Sequence, residues 1–170
     1  MNEKFASEFS VQLVRLLDQA MDKIEHCLDQ LSDAEIWWRP EPDLNSIGNL
    51  ILHISGNLRQ WCVASLNQQP DIRDRAMEFA TRSIDRVELL DIVRLAVADA
   101  KTAILRLQKV QLLEPVVIQG FNVNRMNALL HTATHFQGHT HQIILLTRLQ
   151  KKDAYQFNWK PESDRSHVPM

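Results

Sequence analysis

Through four long stretches of this chain, apolar residues recur every three or four positions, the period of an α-helix that turns one face to a core. Phe5, Phe9, Leu13, Leu16, Ala20, Ile24, Cys27 and Leu31 form the first stripe. It stops near Ser32-Asp33, and Trp37-Trp38-Arg39-Pro40-Glu41-Pro42 cannot extend it, because the prolines fix their own φ and push the residues before them towards extended geometry. A second stripe, Ile47, Leu50, Ile51, Ile54, Leu58, Trp61 and Ser65, follows an Asn45-Ser46 N-cap and is closed by Pro70, which predicts a helix over roughly 46–68. Residues 69–84 are charged and without period, and read as a joining loop with room for a short helical turn. Leu89, Ile92, Val93, Ala96, Ala100, Ala103, Ile104 and Leu107 predict a third helix over about 86–110. Pro115-Val116-Val117-Ile118-Gln119-Gly120 reads as an extended connection. The fourth helix starts near Asn124, runs through Met126, Leu129, Ala133, Phe136, Ile143 and Leu146, and loses its pattern at Lys151-Lys152.

Four amphipathic helices around one core make an all-α four-helix bundle, with a long crossover between helices one and two. The bundle is expected over residues 1–152, and residues 153–170 form an extended C-terminal tail in which Tyr155, Phe157 and Trp159 are available to pack back. With 4 glycines and 6 prolines in 170 residues, the repeated turn chemistry of a many-stranded sandwich or barrel is missing. Lys and Arg total 19 against 21 for Asp and Glu, so no overall field attracts a phosphate backbone and nucleic acid is not an expected partner. No stretch approaches the roughly 20 apolar residues of a membrane span, and Met1-Asn2-Glu3-Lys4 lacks the basic-then-apolar start of a signal peptide. Cys27 and Cys62 fall inside apolar helical patterns, where a thiol packs as a small hydrophobe. A soluble, cytoplasmic protein without disulfides or membrane contact is expected, and a homodimer formed through an exposed helix face suits a bundle of this size.

Chemistry concentrates in the fourth helix, where His131, His135, His139 and His141 lie within eleven residues. At 3.6 residues per turn the first three stack along one side and His141 points away. Two imidazoles at i and i+4 can reach one ion, and neutral imidazole is a ligand for zinc, nickel and iron. Read from spacing alone, the same pattern also fits solvated or core histidines. A third ligand would have to be His26, His53 or His167, of which His53 sits in the middle of helix two, placed to face a neighbouring helix. The side of helix two that carries His53 also carries Asn49, Asn57 and Gln60, and the histidine side of helix four runs on into Gln142. Two such polar flanks turned towards one another would enclose a chamber at the margin of the core.

The run from Asn45 to Trp61, with His53 at its middle, and the later His135-Phe136-Gln137-Gly138-His139-Thr140-His141-Gln142-Ile143 resemble the DinB-like superfamily of bacterial metal-binding bundles, as does the Trp37-Trp38-Arg39-Pro40 approach. The resemblance covers nearly the whole chain. It implies that His53, His135 and His139 hold one divalent metal ion, zinc or nickel before iron or manganese. Thr140 and His141 depart from many relatives, which have a small residue just before the glutamine and an arginine or similar residue before that, so substrate preference is not carried over. Characterised members include bacillithiol- or mycothiol-dependent S-transferases and thiol-dependent maleylpyruvate isomerases. The resemblance thus implies a metal-dependent thiol S-transferase or related detoxification enzyme, with a low-molecular-weight thiol as cosubstrate and a small-molecule substrate. The alternatives are a non-catalytic metal-binding or stress-response module of the same fold and an oligomeric structural bundle without metal.

His131, one turn before the ligand pair, is then a candidate for orienting a ligand or accepting a proton, and Asn49, Asn57, Gln60 and Gln142 are candidates to line the chamber. Gly56 and Gly138 would permit close approach to their helices. Trp37 and Trp38 are expected to plug the end of the bundle, and Arg39 to make a surface ion pair. No glycine-rich phosphate loop, CxxC pair, Gly-x-Ser-x-Gly elbow or Glu-x-x-His di-iron pattern competes with this reading.

Overall fold

A computed structural model describes residues 3–107 and 109–158. In chain order the elements are α1 (Glu3–Leu28), a short α2 (Asp33–Ile36), α3 (Ile47–Asn57), a π-helical stretch (Leu58–Ala64) that runs on into α4 (Ser65–Asn67), then α5 (Arg75–Ala80) and α6 (Arg86–Leu105). A 3-10 turn (Lys109–Leu113), strands β1 (Pro115–Ile118) and β2 (Phe121–Asn124), α7 (Arg125–Lys151) and a last 3-10 turn (Lys152–Ala154) complete it. The architecture is an all-α bundle with one small hairpin.

The four long helices are α1, the continuous helix of α3 to α4, α6 and α7. Both α1 and α3 pack against α6 and against α7, which sets α1 and α3 at diagonal corners and makes α3 and α7 neighbours. Leu13, Leu17, Ile24 and Leu28 from α1 meet Ile47, Ile51, Ile54 and Leu58 from the second long helix, Leu89, Val93 and Ile104 from α6, and Leu129, Phe136 and Ile143 from α7. Each of these larger apolar side chains contributes about 2 kcal/mol by leaving water. Trp61, Ile118 and Ala128 form a satellite cluster where the hairpin lies on the bundle. Among the described residues no helix is long and apolar enough to cross a membrane.

Several elements differ from the periodicity reading. The first helix ends at Leu28, and Ser32 starts a separate turn of helix: its hydroxyl accepts from the Glu35 N–H while the Glu35 carboxylate accepts from the Ser32 N–H, a reciprocal capping box. The third long helix stops at Leu105, short of 110. The extended run at Pro115 is half of a two-stranded antiparallel hairpin in which Ile118 pairs with Phe121. Its two loop residues, Gln119 at φ 53° and Gly120 at φ 83°, both take the left-handed conformation that matches the strands' twist. The stretch read as a joining loop contains α5, started by the Asp74 side chain, which accepts from the Met77 N–H.

At the other end of the chain the Gln156 N–H donates to Gln30 Oε1 at 2.8 Å, and Arg148 lies over the rings of Tyr155 and Phe157. Trp159, the third aromatic residue expected to pack back, lies outside the described residues, as does His167. Trp37 is half-buried against the core, its indole N–H donating to the Ile84 carbonyl at 2.9 Å, whereas Trp38 is exposed.

Candidate metal centre

His53 lies two turns into α3, and His135 and His139 lie on successive turns of α7. Because these helices are neighbours in the bundle, the three imidazoles meet: one nitrogen from each comes within 4.8 Å of the others, a group that could hold a metal ion. Nε2 of His53 and Nε2 of His135 stand 3.0 Å apart. Two nitrogens on a tetrahedral ion at metal–nitrogen distances of 2.0–2.1 Å stand roughly 3.3 Å apart, so the spacing suits a shared ion. The neutral nitrogen donor set suits it as well.

Neighbouring side chains decide which ring nitrogens are open. Nδ1 of His53 is 3.0 Å from both Glu78 Oε2 and Arg73 Nη2; with a proton on Nδ1 donated to the carboxylate, the ring turns the Nε2 lone pair to the other rings. Nδ1 of His139 lies 2.7 Å from Gln142 Oε1, which does the same for its ring. Glu78 is held in turn by Arg73, whose Nε and Nη2 donate to the two carboxylate oxygens at 2.6 and 2.7 Å, a fork-to-fork pair. Arg73 Nη1 donates to Gln60 Oε1 at 2.9 Å, and Gln60 Nε2 donates to Asp71. Burial pushes the Glu78 carboxyl upward, but the hydrogen bonds from Arg73 and His53 and their charges together hold it below the usual range, so it is ionised.

The α7 imidazoles are tuned the other way. Burial, reinforced by the neighbouring His139, His53, His131 and Arg73, pushes His135 down to about 3. Burial, helped by the neighbouring His53, also lowers His139, against the hydrogen bond it donates to Gln142, which works upward. Neutral imidazole is the metal-binding form, and His135 keeps it throughout the physiological range.

One side of the cluster opens on a chamber of about 530 Å³. His53, His131 and His135 form part of its wall, Asn57 and Trp61 come from the second long helix, Phe121 and Val123 from the hairpin, Arg73 from the segment leading into α5 and Arg75 from its first turn. Trp61 reaches this wall through the π-helical stretch. In a regular helix, residues four apart drift about 40° round the axis, whereas the wider i to i+5 turn brings the fourth residue back towards the starting face. Trp61 thus stays above His53 and Asn57, with its ring 4.1 Å from that of His131.

The family described as "Protein of unknown function (DUF1572)" matches residues 4–161. The chain belongs to this family. DUF1572 is a family of DinB-like fold. A crystal structure of a conserved protein from Enterococcus faecalis is similar with a TM-score of 0.72, covering 82% of this chain and 95% of that chain at 21% sequence identity, a likeness of fold alone. No curated protein matches the chain.

The candidates from the sequence divide in this DUF1572 chain. His53, His135 and His139 come together, and Asn57 and His131 line the chamber beside them. Asn49 does not line it: fully buried behind α3, it donates to the Glu78 and Thr81 carbonyls at 2.9 Å each and accepts from Arg39 at 2.6 Å. Arg39 therefore serves this junction, not a surface ion pair. Gln60 lies outside the chamber wall and braces Arg73, and Gln142 holds His139 from its exposed side. His141 is exposed, and His26 is bonded to the Gln156 carbonyl at the far end of α1. The residues that periodicity missed are Glu78, Arg73 and Arg75; the one local signal is Asp74, an N-cap ahead of the helix-forming run Arg75-Ala76-Met77-Glu78.

Proposed function

We propose that this chain is a divalent-metal protein acting on a small molecule, with thiol S-transfer or a related detoxification as its class of reaction. The observation that carries the reading is the trio of imidazole nitrogens within 4.8 Å of one another, two of whose rings, His53 and His135, line a chamber of about 530 Å³. His53, His135 and His139 would hold the ion, and three neutral imidazoles suit zinc or nickel first, iron or manganese next. A bound divalent ion supplies Lewis acidity, lowering the pKa of a water or thiol that reaches it. The chain's own residues prepare the site. Glu78 accepts a hydrogen bond from His53 Nδ1–H and fixes that ring, Arg73 keeps Glu78 ionised, and Gln142 orients His139. Trp61, Phe121 and Val123 give the chamber an apolar wall that displaces water from a bound molecule. In the proposed reaction, the sulfur of a low-molecular-weight thiol bonds to an electrophilic carbon, and the thiol proton and the leaving group pass to solvent.

Elemental analysis of untagged protein, purified without added metal, tests the first half of this reading. Close to one equivalent of divalent metal is expected in the natural chain, and none in a His135→Ala, His139→Ala double substitution; equal, negligible metal in both removes the proposal. With metal present, consumption of several cellular thiols against 1-chloro-2,4-dinitrobenzene tests the second half. Inactivity with every thiol leaves a non-catalytic metal-binding module.

A further inference from the structure

The chamber beside the three histidines carries charge of one sign. Its charged wall residues are Arg73 and Arg75, and no carboxylate lines it among the described residues, Glu78 lying behind Arg73 and paired with it. The chain as a whole has a formal net charge of -2, and with Arg73 balanced by Glu78 the uncompensated charge on this wall is that of Arg75.

The two arginines differ in what they have left to offer. Arg73 is engaged by both oxygens of Glu78 and by Gln60. Arg75 makes no ion pair among the described residues, and its guanidinium lies over the Phe79 ring, 5.1 Å from its centroid. Its planar fork of donors is therefore open to an anion in the chamber. The same wall carries an exposed aromatic surface, Phe121, backed by the buried Trp61 ring 6.4 Å away at an interplanar angle of 37°. A single open guanidinium fits one carboxylate in fork geometry, and a space of about 530 Å³ is the size of a small organic molecule, not of a polymer segment.

We propose that the chamber takes a small organic anion with a flat aromatic or conjugated body, its carboxylate on Arg75 and its body against Trp61 and Phe121. This deepens the reading above by naming the class of the molecule presented to the metal centre, and rests on it for the chemistry that follows binding. The recognition itself needs only Arg75 and the aromatic wall.

The test uses 2-naphthoate and its neutral isostere 2-naphthamide as probes, titrated calorimetrically into the full chain as isolated and again after chelation, with metal content measured in both. The carboxylate is expected to bind more tightly than the amide. Arg75→Gln, at an exposed position, should weaken the carboxylate at least roughly five- to tenfold, since the glutamine amide keeps at most one neutral donor of the two-bond charged fork, and leave the amide unchanged. Phe121→Ala, also exposed, should weaken both probes alike. Equal affinity for the two probes, an unaltered carboxylate affinity in a folded Arg75→Gln variant, or no binding of either probe at millimolar concentration overturns the proposal. Discrimination that persists in a chain found to hold no metal supports the anion site and sinks only the metal reading; a metal-loaded chain without discrimination does the reverse.

Discussion

The Glu78 carboxylate meets Nδ1 of His53 at 3.0 Å from 25 positions away in sequence, and it does so while paired with Arg73. Both partners of that ion pair are buried, Arg73 with 5% and Glu78 with 9% of the side chain exposed. Glu78→Gln keeps an oxygen for the imidazole but removes the charge, so the ring is held less firmly and the guanidinium is left buried without its anion. Metal affinity is expected to fall ten- to a hundredfold, and stability by about 3 kcal/mol. Competition against a chromophoric chelator reads the first and urea denaturation the second; an unchanged affinity would remove Glu78 from the metal site.

Two glycines on the ligand-bearing helices should respond to alanine with opposite signs. A Cβ on Gly56 would run into Oε1 of Glu78 and come within 2.8 Å of Arg73 Nε, so this glycine makes the room in which the ion pair lies against α3. Gly138, in the exposed middle of α7, has nothing within 4 Å of the corresponding position. Helix propensity favours alanine by about 1 kcal/mol at either site. At Gly138 that preference acts alone and raises the thermal midpoint. At Gly56 the clash outweighs it, and Gly56→Ala should lower both the midpoint and the metal affinity.

The pair His135 and His139 was legible from its i, i+4 spacing, whereas spacing left the third partner open and His53, on the polar flank of its helix, was singled out by the resemblance of its neighbouring sequence to the DinB-like pattern. The surroundings were not legible, because they are set by tertiary contact. Residues 69–84 have no period to read, as α5 is six residues long and is held by side chains, not by a buried stripe. The π-helical stretch leaves no mark on apolar spacing, yet it decides that Trp61 joins the chamber. In α1 the stripe drawn through Leu16 is displaced by one residue: Leu17 is 2% exposed and Leu16 40%, a choice between adjacent leucines that periodicity cannot make. On α7 part of the core face is threonine. Thr132, Thr140 and Thr147 are buried with their hydroxyls donating to the carbonyl four residues back, which hides polar residues among apolar ones.

Asn49 should matter to the site without touching it. Its amide joins α3 to α5 through the Glu78 and Thr81 carbonyls, and its oxygen accepts from Arg39 and from the Ser46 hydroxyl, while Asn49 itself has no solvent exposure. Asn49→Ala leaves buried groups without partners and is expected to cost about 3 kcal/mol. Hydrogen exchange should accelerate over residues 75–80 more than over α1, because α5 loses its tether. Uniform acceleration along the chain would show that Asn49 serves general stability and not the seat of Glu78.

Acid sensitivity follows from His135. In the folded chain its imidazole stays neutral down to about 3, whereas in an unfolded chain it takes a proton near 6.5. Between those values the unfolded state binds more protons, so stability rises with pH through that window and is lost as pH falls. His139 and His131, both lowered by burial, act in the same direction. Glu78 also loses stabilisation on acidification, but only below the unfolded carboxyl value of about 4.3, so the interval from pH 7 to pH 5 isolates the histidines. The urea midpoint of metal-free protein should fall steadily across that interval, and His135→Gln should make the slope shallower. A natural chain with a flat profile from pH 7 to pH 5 would mean that His135 is as easily protonated in the folded chain as in water, and so is not buried against its neighbours as described.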